Sequence, residues 1–512
     1  MRRSLFISLH LTAAIGRLDA QPPAILQNGL FNSASHMAGS LPGAALAPGS
    51  RFAIRGVRLG TDVRTTIVTV QSGGRGMTAR LLAVSASEVE GILPVTLMPG
   101  EATATVTRGG ESSQAFAFRV APMAVGLFTA NRLGWGPADM AKPTGAKPSL
   151  APGVVARLRA TGIGTGLRLR LFVGGRPSPT VSATSKSNQP GMDEIAFRVP
   201  DGVEGCYVPV YAQTPEGLVS NIVTLPIMRG GGACAPPEGW PTPGLQSALV
   251  LLSRFSLLLE TRPGDWEAHD QEYIEASFAA GSGSPLVAPI HLLPPTGTCT
   301  GSAGVYQSGG GFAELAGLGF EASGARGLDA GEEIAVASAG GKLNLVAGPE
   351  GFYRARISKR STKPFLLPGE LQISSQGGSA VGPFAATVRA ASPLTWKNRE
   401  QLAVVDRRKG LTVEWSNADP RRPVLIVAIG VDRLSTAAYA CLCVAAAGTG
   451  NFTIPAAMLA NLPATSSEAG LPHGLLLLTQ STSGGYAQFQ ARGIGSGTVM
   501  YLTGSGRSVS FR

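Results

Sequence analysis

The densest group of side chains that could perform acid–base or metal chemistry lies between residues 265 and 272, where the chain runs Asp-Trp-Glu-Ala-His-Asp-Gln-Glu. Successive side chains of an extended chain point to opposite faces, so Asp265, Glu267 and His269 would share one face. Such a set could hold a divalent cation or supply a catalytic carboxylate. The alternative, which we favour, is a solvated hairpin tip that precedes a strand from Tyr273 to Phe278.

Nucleophilic and nucleotide-binding motifs are missing from the sequence. It contains no G-x-S-x-G elbow, no G-x-x-x-x-G-K-[ST] loop, no G-x-G-x-x-G turn and no H-E-x-x-H pair. Gly297-Thr-Cys299-Thr-Gly301 mimics a nucleophile elbow with cysteine at its centre, but Pro294-Pro295 upstream predicts a loop rather than a strand, turn and helix. We therefore interpret Cys299 as half of a disulfide, and we expect no cofactor.

Five cysteines would form one or two disulfides and leave an odd thiol if the chain is exported; they are Cys206, Cys234, Cys299, Cys441 and Cys443. Sequence alone does not give their connectivity. A bond between Cys206 and Cys234 would stabilise the fold by about 3.5 kcal/mol in the chain-entropy model. Cys441 and Cys443 lie in an alternating apolar run, so their sulfurs would point to one face of a strand. Zinc binding is the alternative, but no second cysteine pair has ligand spacing, and we favour a structural role.

Two tryptophans are candidates for ligand recognition. Trp135 and Trp240 lie in loops rich in glycine and proline, where an exposed indole could stack on a sugar or a protein partner. The alternative is that both side chains close the ends of hydrophobic cores.

A repeat in the first half indicates the elements that must position these residues. Leu46-Ala-Pro-Gly recurs as Leu150-Ala-Pro-Gly, an offset of 104 residues. Later landmarks keep nearly the same offset, because Gly100 and its following strand match Gly205 and its following strand. Two consecutive units of about one hundred residues are implied, which is the length of an immunoglobulin-type sandwich.

Short β-strands are predicted throughout both units. They are rich in β-branched or aromatic residues and are bounded by glycine or proline. From residue 167 to Val173, apolar and charged residues alternate, so that strand should have one packed and one wet face.

The second half is predicted to be β-rich as well. Residues 230–244 form a linker by composition, since glycine and proline at this density disfavour both helix and central strand. Leu249 to Leu259 is too short to span a membrane and contains Arg254, so we predict a buried strand there. A short helix is predicted at Pro455 to Leu462. A second, less clearly marked domain boundary is predicted near Ser392-Pro393.

Residues 1–20 are predicted to be an export signal, because Arg2 and Arg3 precede a mostly apolar run. An unstructured cytosolic tail is the alternative. The formal charge of the chain is +11, but its basic residues are scattered. The tightest groups, at residues 406–409 and 419–422, each contain an aspartate. They predict solvated surface rather than a nucleic-acid interface, and no nucleic-acid partner is expected.

Several landmarks resemble the IPT/TIG immunoglobulin-like family, in particular two-repeat modules of exported proteins of soil bacteria. They lie between Pro22 and Ile227 and are Asn32-Ser-Ala-Ser35, Leu46-Ala-Pro-Gly-Ser50 with Gly56, Ala121-Pro-Met-Ala-Val-Gly-Leu-Phe128, Gly162-Ile-Gly164, and Cys206-Tyr-Val-Pro-Val210 with Ser220-Asn221. Trp135 departs from the pattern, since that loop of the family usually carries small or polar residues. The resemblance implies a sandwich fold and a surface location, and it implies no catalytic residues.

The sequence as a whole predicts an all-β protein, with tandem immunoglobulin-like β-sandwich domains followed by a β-rich C-terminal half. The predicted parts are a signal peptide (1–20), two sandwiches (21–122 and 123–229), a linker (230–244) and two β-rich domains (245–392 and 393–512), although 245–512 as one domain remains open.

The predicted function is non-catalytic: an exported binding or scaffold protein with a carbohydrate or protein partner at the cell surface and no membrane span after signal removal. One alternative is a polymer-degrading hydrolase whose catalytic pair in the C-terminal half includes Glu267. Another is a purely structural component of the cell envelope.

Overall fold

The computed structural model describes residues 21–141, 147–164, 168–185, 188–235, 240–242, 244–262, 264–281, 289–305, 326–348, 351–357, 364–432, 434–465 and 474–512. The predicted export signal lies outside them. Nearly all regular structure in these residues is β-strand, which confirms the predicted fold class. None of their helices has the length and apolar character that crossing a bilayer requires.

The strands between Ala24 and Val120 form a sandwich of two sheets. Its strands are β1 (Ala24–Asn32), β2 (Arg51–Val57), β3 (Thr66–Ser72), β4 (Arg75–Thr78), β5 (Arg80–Val84), β6 (Glu88–Ile92), β7 (Gly100–Arg108), β8 (Glu111–Ser112) and β9 (Phe116–Val120). One sheet has the order β1-β2-β6-β5, and the other has β4-β3-β7 with β8 and β9 both paired to β7. Buried and less buried residues alternate along β3, so Val68 and Val70 face the core with Phe52 and Ile54.

The strands between Gly126 and Ile227 form the second sandwich. Its strands are β10 (Gly126–Leu127), β11 (Gly136–Pro137), β12 (Val155–Thr161), β13 (Arg170–Val173), β14 (Arg176–Ser178), β15 (Thr180–Ser185), β16 (Asp193–Arg198), β17 (Gly205–Gln213) and β18 (Val223–Ile227). The sheet orders are β10-β12-β16-β15 and β11-β18-β17-β13-β14. Leu158, Phe197 and Val210 pack between the two sheets.

The two sandwiches share one pairing pattern. β2-β6-β5 corresponds to β12-β16-β15, and β4-β3-β7-β9 corresponds to β14-β13-β17-β18. Leu46 bridges Val120 in parallel, and Leu150 bridges Ile227 in parallel. Leu46 and Leu150 therefore occupy equivalent positions, and the predicted duplication is confirmed.

Matching glycine pairs make the equivalent hairpin turns of the two sandwiches. Gly73 and Gly74 join β3 to β4 with φ values of 56° and 75°, and Gly174 and Gly175 join β13 to β14 with 58° and 76°. A two-residue turn with positive φ at both positions matches the twist of the strands that it joins, and glycine adopts positive φ without steric cost.

The C-terminal region contributes many more strands. They are β19 (Gln246–Arg262), β20 (Asp265–Ala280), β21 (Thr298–Val305), β22 (Arg326–Gly327), β23 (Glu333–Ser338), β24 (Gly341–Ala347), β25 (Phe352–Ile357), β26 (Gly369–Ser375), β27 (Phe384–Ala390), β28 (Thr395–Trp396), β29 (Val404–Val405), β30 (Leu411–Ser416), β31 (Val424–Val431), β32 (Ala437–Ala445), β33 (Asn451–Ile454), β34 (Gly474–Gln480), β35 (Tyr486–Phe489), β36 (Ser496–Ser508) and β37 (Ser510–Phe511).

Among the described residues, 14 of these strands share one sheet, with the order β21-β32-β31-β34-β36-β19-β20-β25-β24-β23-β26-β27, β22 beside β20 and β35 beside β36. Strands from both sides of residue 392 therefore belong to it. Leu249 and Leu251 of β19 face one hydrophobic cluster, while Val250 and Leu252 face another. Burial on both faces explains why the predicted strand is continuously apolar.

Smaller elements complete the C-terminal region. β28, β30 and β33 form one small sheet, and β29 pairs with β37 in parallel. Helix α1 (Ala456–Leu459) follows Pro455, within the predicted helical segment but shorter than it. Short 3₁₀ turns lie at Arg229–Gly231, Pro289–Leu292, Arg399–Gln401 and Ala447–Thr449.

One hydrophobic cluster joins all three parts of the chain. It contains Met37 from the first sandwich, Tyr211 and Val219 from the second, and Trp415 and Met458 from the C-terminal region. Because these buried side chains pack together, the surfaces next to them have fixed relative positions.

Candidate functional site

A cavity of about 490 Å³ lies where the second sandwich meets the C-terminal region. This volume falls in the range typical of small-molecule sites. The described residues that line it are Gln213 and Gly217 from the second sandwich and Arg407, Arg408, Ala456, Ala457, Ala460 and Arg512 from the C-terminal region. We call this cavity the arginine pocket.

Backbone hydrogen bonds fix the arginine side of the pocket. The Arg512 N–H donates to the Val405 carbonyl at 2.9 Å, and the Arg407 N–H donates to the Arg512 carbonyl at 2.9 Å. These bonds extend the parallel pairing of β29 and β37. Arg407 and Arg512 are thus neighbours, although 104 residues separate them in sequence.

The opposite side of the pocket is a tight turn at the end of β17. The Gly217 N–H donates to the Thr214 carbonyl at 3.0 Å, and the Leu218 carbonyl accepts from the Thr214 N–H at 2.9 Å. The Asn461 amide donates to the Ser220 carbonyl at 3.3 Å and so joins the end of α1 to this sandwich. The two walls are therefore held together by a direct contact as well as by the shared core.

Arg407 is the most enclosed cation of the pocket. Its Nη1 donates to the Leu462 carbonyl, and its buried Nε has no hydrogen-bond partner in the described part of the chain. Burial lowers the pKa of Arg407, while Asp406 opposes that shift. The guanidinium stays protonated at neutral pH because arginine titrates far above it. An unpaired buried N–H is costly, but this atom is not exposed to the pocket, so a ligand would contact other atoms of the guanidinium.

The cationic side chains in and beside the pocket differ in whether a carboxylate pairs with them. Arg408 and Lys409 both contact the Asp406 carboxylate, at 3.0 and 4.0 Å, and the hydrogen bond from Arg408 lowers the pKa of Asp406. The exposed side chain of Arg512 forms no salt bridge with a described residue, and neither does Arg407. The pocket therefore has a positive excess.

The amide of Gln213 faces another cation. Its Oε1 accepts from Arg170 Nη2 at 2.9 Å. This bond orients the amide and leaves its nitrogen as a further donor.

The lining side chains offer hydrogen-bond donors and apolar contacts. The described lining residues supply guanidinium and amide donors and three alanine methyl groups. Their side chains include no carboxylate, imidazole, thiol or hydroxyl that could transfer a proton or attack a substrate at neutral pH.

Trp135 lies in a loop that is tightly held by the rest of the molecule. The Gly134 carbonyl accepts from the buried Asn221 amide at 2.8 Å. A methyl group added at Gly134 would meet the Ser35 carbonyl oxygen at 2.2 Å, and one at Gly136 would meet Leu292 at 3.2 Å. The Trp135 side chain is partly buried. The loop could present the indole rigidly, but part of the ring is already covered.

Trp240 is only 3% exposed and belongs to a hydrophobic cluster with Leu249 and Met500. The Arg422 guanidinium lies 5.2 Å from the centre of its ring. Trp240 therefore presents no exposed face, and its position is that of a side chain that closes the end of a core.

Asp265, Glu267 and His269 lie on β20 near the tip of its hairpin with β19, as expected for a hairpin tip. His269 Nε2 is 3.3 Å from Glu267 Oε2. Asp265 does not join them: among the described residues, the three do not bring ligand atoms within 4.8 Å of one another. Glu267 is exposed and also contacts the Thr261 hydroxyl at 3.4 Å.

The cysteines form two disulfides and one free thiol, as the sequence predicts. Cys206 bonds Cys234, and Cys299 bonds Cys443 across β21 and β32. Cys441 is free and buried, with its sulfur 3.8 Å from that of Cys443. The sulfurs of Cys299, Cys441 and Cys443 lie within 4.8 Å of one another. The two bonds fit an oxidising compartment outside the cytoplasm.

Sequence reasoning missed the arginine pocket. It noted the basic group at residues 406–409 and interpreted it as solvated surface, because Asp406 lies within the group. Asp406 indeed pairs with Arg408 and Lys409 but leaves Arg407 without a carboxylate partner. No local signal in the sequence places Gln213 or Arg512 beside that group.

No family model matches the chain, and no curated protein matches it either. The resemblance to the IPT/TIG family therefore stays a proposal.

Some solved structures resemble the chain distantly. One is SGBP-B from the mixed-linkage glucan utilization locus of Bacteroides ovatus in complex with a heptasaccharide (13% identity, 36% of this chain, 45% of that chain, TM-score 0.20). Others are a surface glycan-binding protein from Prevotella bryantii (10%, 39% and 40%, 0.15) and a tetra-tandem repeat of a large adhesion protein (10%, 94% and 98%, 0.14). The chain spans less than half of the first of these. At such TM-scores the likenesses carry no argument about function.

Proposed function

We propose that the chain is an exported, non-catalytic binding protein whose ligand, a glycan, occupies the arginine pocket. The observation that carries this proposal is the lining of the pocket, which combines hydrogen-bond donors with small apolar side chains and has no acid–base or nucleophilic group among its described residues. A sugar offers hydroxyl acceptors for such donors and apolar C–H faces for the alanines.

The remaining parts of the chain have supporting roles in this proposal. Residues 1–20 direct export, and the two disulfides suit the oxidising space that the protein then enters. The duplicated sandwiches, of IPT/TIG type, supply one wall of the pocket through Gln213 and Gly217.

Filling the pocket tests the proposal. Ala457 lines the cavity, so Ala457→Trp should block it, whereas Ala385 is exposed on β27 and Ala385→Trp is the matched control. Both variants and the parent would be titrated by calorimetry against a panel of soluble plant and bacterial polysaccharides. We expect at least one polymer to bind the parent, Ala457→Trp to weaken that binding tenfold or more, and Ala385→Trp to leave it unchanged.

Two outcomes would contradict the proposal. The first is equal binding by parent and Ala457→Trp, when circular dichroism shows both folded. The second is the release of new reducing ends from the polymer, which would mean that the protein is a hydrolase. Trp135→Ala in the same titration measures the contribution of the loop around Trp135, the alternative binding surface.

A further inference from the structure

The charge of the arginine pocket narrows the chemistry of its ligand. Arg407 and Arg512 are joined by a backbone hydrogen bond, and both residues line the cavity. Neither side chain forms a salt bridge with a described acidic side chain, whereas Arg408 pairs with Asp406. Arg170, at the edge, contributes a fourth guanidinium through its contact with Gln213. The described side chains around the cavity thus carry more positive than negative charge.

We propose that the pocket recognises an acidic glycan, whose sugar-borne oxyanion pairs with Arg407 and Arg512 while its ring contacts the alanines of α1. This inference rests on the proposed function and further specifies that the glycan ligand is negatively charged. A guanidinium presents two parallel N–H groups that match a carboxylate or a sulfate, and such charge-assisted pairs are stronger than neutral hydrogen bonds.

The size of the cavity favours a sugar over an acidic peptide side chain. A single aspartate or glutamate carboxylate would satisfy the guanidinium groups but would leave most of the 490 Å³ unfilled. A charged pyranose and its neighbours in a polymer would fill more of this volume, which the arginines and Gln213 line together. Unfilled space next to apolar side chains forfeits dispersion contacts, so the larger ligand binds better.

The experiment compares polymers that differ only in charge. Polygalacturonate would be titrated beside its fully methyl-esterified form, which keeps the sugar and removes the carboxylate. Comparing dextran sulfate with dextran would show whether a sulfate group is recognised as well as a carboxylate. Poly-L-glutamate would serve as a polymer that carries carboxylates but no sugar. We expect polygalacturonate to bind at least tenfold more tightly than its ester and than poly-L-glutamate.

A variant that reverses a charge in the pocket tests the same inference from the protein side. Arg512 is exposed, so Arg512→Glu should fold, and we expect it to weaken polygalacturonate binding at least tenfold. Arg512→Lys, which keeps the charge, should lose less. Arg75→Glu, at the exposed first residue of β4, changes the net charge equally and should have little effect.

Specific outcomes would overturn the inference. Equal binding of the ester and the acid, with Arg512→Glu unaffected, would mean that the ligand is neutral; the proposed function would survive if Ala457→Trp still blocked binding. Equal losses in Arg512→Glu and Arg75→Glu would mean that only net charge matters. Tight, Arg512-dependent binding of poly-L-glutamate would assign the pocket to an acidic protein instead.

Discussion

Cys441 is the free thiol among the described cysteines, and the protein interior shields it from solvent. It is fully buried, and burial raises its pKa to about 12. Thiolates, not thiols, are the reactive species, so a native Cys441 should be inert at ordinary pH even though the Cys299–Cys443 disulfide is its neighbour. Burial thus prevents exchange between the thiol and the disulfide.

This burial predicts slow alkylation. In iodoacetamide at pH 8, native protein should incorporate no label at Cys441 over hours, and protein in urea without reductant should incorporate one label per chain, which mass spectrometry can count. Rapid labelling of the native protein at Cys441 would contradict the structure.

The same group makes stability fall at high pH. The pKa of Cys441 rises from 9.0 in the unfolded chain to about 12 in the folded one, so above pH 9 the unfolded state loses the proton first. The contribution of the thiol is intact below pH 9 and is lost as pH rises toward 12. Cys441→Ala should show a weaker decline of the unfolding free energy over that window.

At the scale of elements, the paired glycines between strands show how the duplicated sandwich is specified. Both residues of the turn from β13 to β14 have positive φ, but their surroundings differ. A methyl group at Gly174 would meet Val203 Cγ1 at 2.7 Å, whereas one at Gly175 would meet nothing within 4 Å.

The two glycines should therefore respond differently to alanine. Gly175→Ala introduces only the strain of an alanine at positive φ, about 1 kcal/mol, while Gly174→Ala adds a clash with a buried valine. We expect Gly174→Ala to lower the free energy of unfolding, measured in urea, by at least 1 kcal/mol more than Gly175→Ala. Equal losses would indicate that the turn relaxes away from Val203.

Much of the strand architecture could be predicted from the sequence, because its signals are local. Alternation identified the strands, and the shared Leu-Ala-Pro-Gly segments at Leu46 and Leu150 identified the duplication. The surroundings of the β19–β20 hairpin could not be predicted, since the other neighbour of β19 is β36, more than 200 residues further along the chain.

At the scale of the whole molecule, the candidate site arises only from the way the parts meet. Gln213 and Arg407 lie on different parts of the chain, and a hydrophobic cluster common to all three parts brings their surroundings together. The spacing of residues in the sequence does not indicate such a contact. For this reason, sequence reasoning chose Trp135 and Trp240 as binding candidates and interpreted the basic group at residues 406–409 as solvated surface.

The large sheet also bears on domain organisation. The sequence leaves open whether residues 245–512 are one domain or two. Because strands on both sides of residue 392 share one sheet, we propose that they form a single folding unit.

A crystal structure of the full chain soaked with a short oligogalacturonide would show directly whether the junction between sandwich and C-terminal region is a binding site. Our account predicts sugar density in the arginine pocket, with a carboxylate within hydrogen-bonding distance of Arg407 and Arg512. Sugar stacked on Trp135, with the pocket empty, would contradict it.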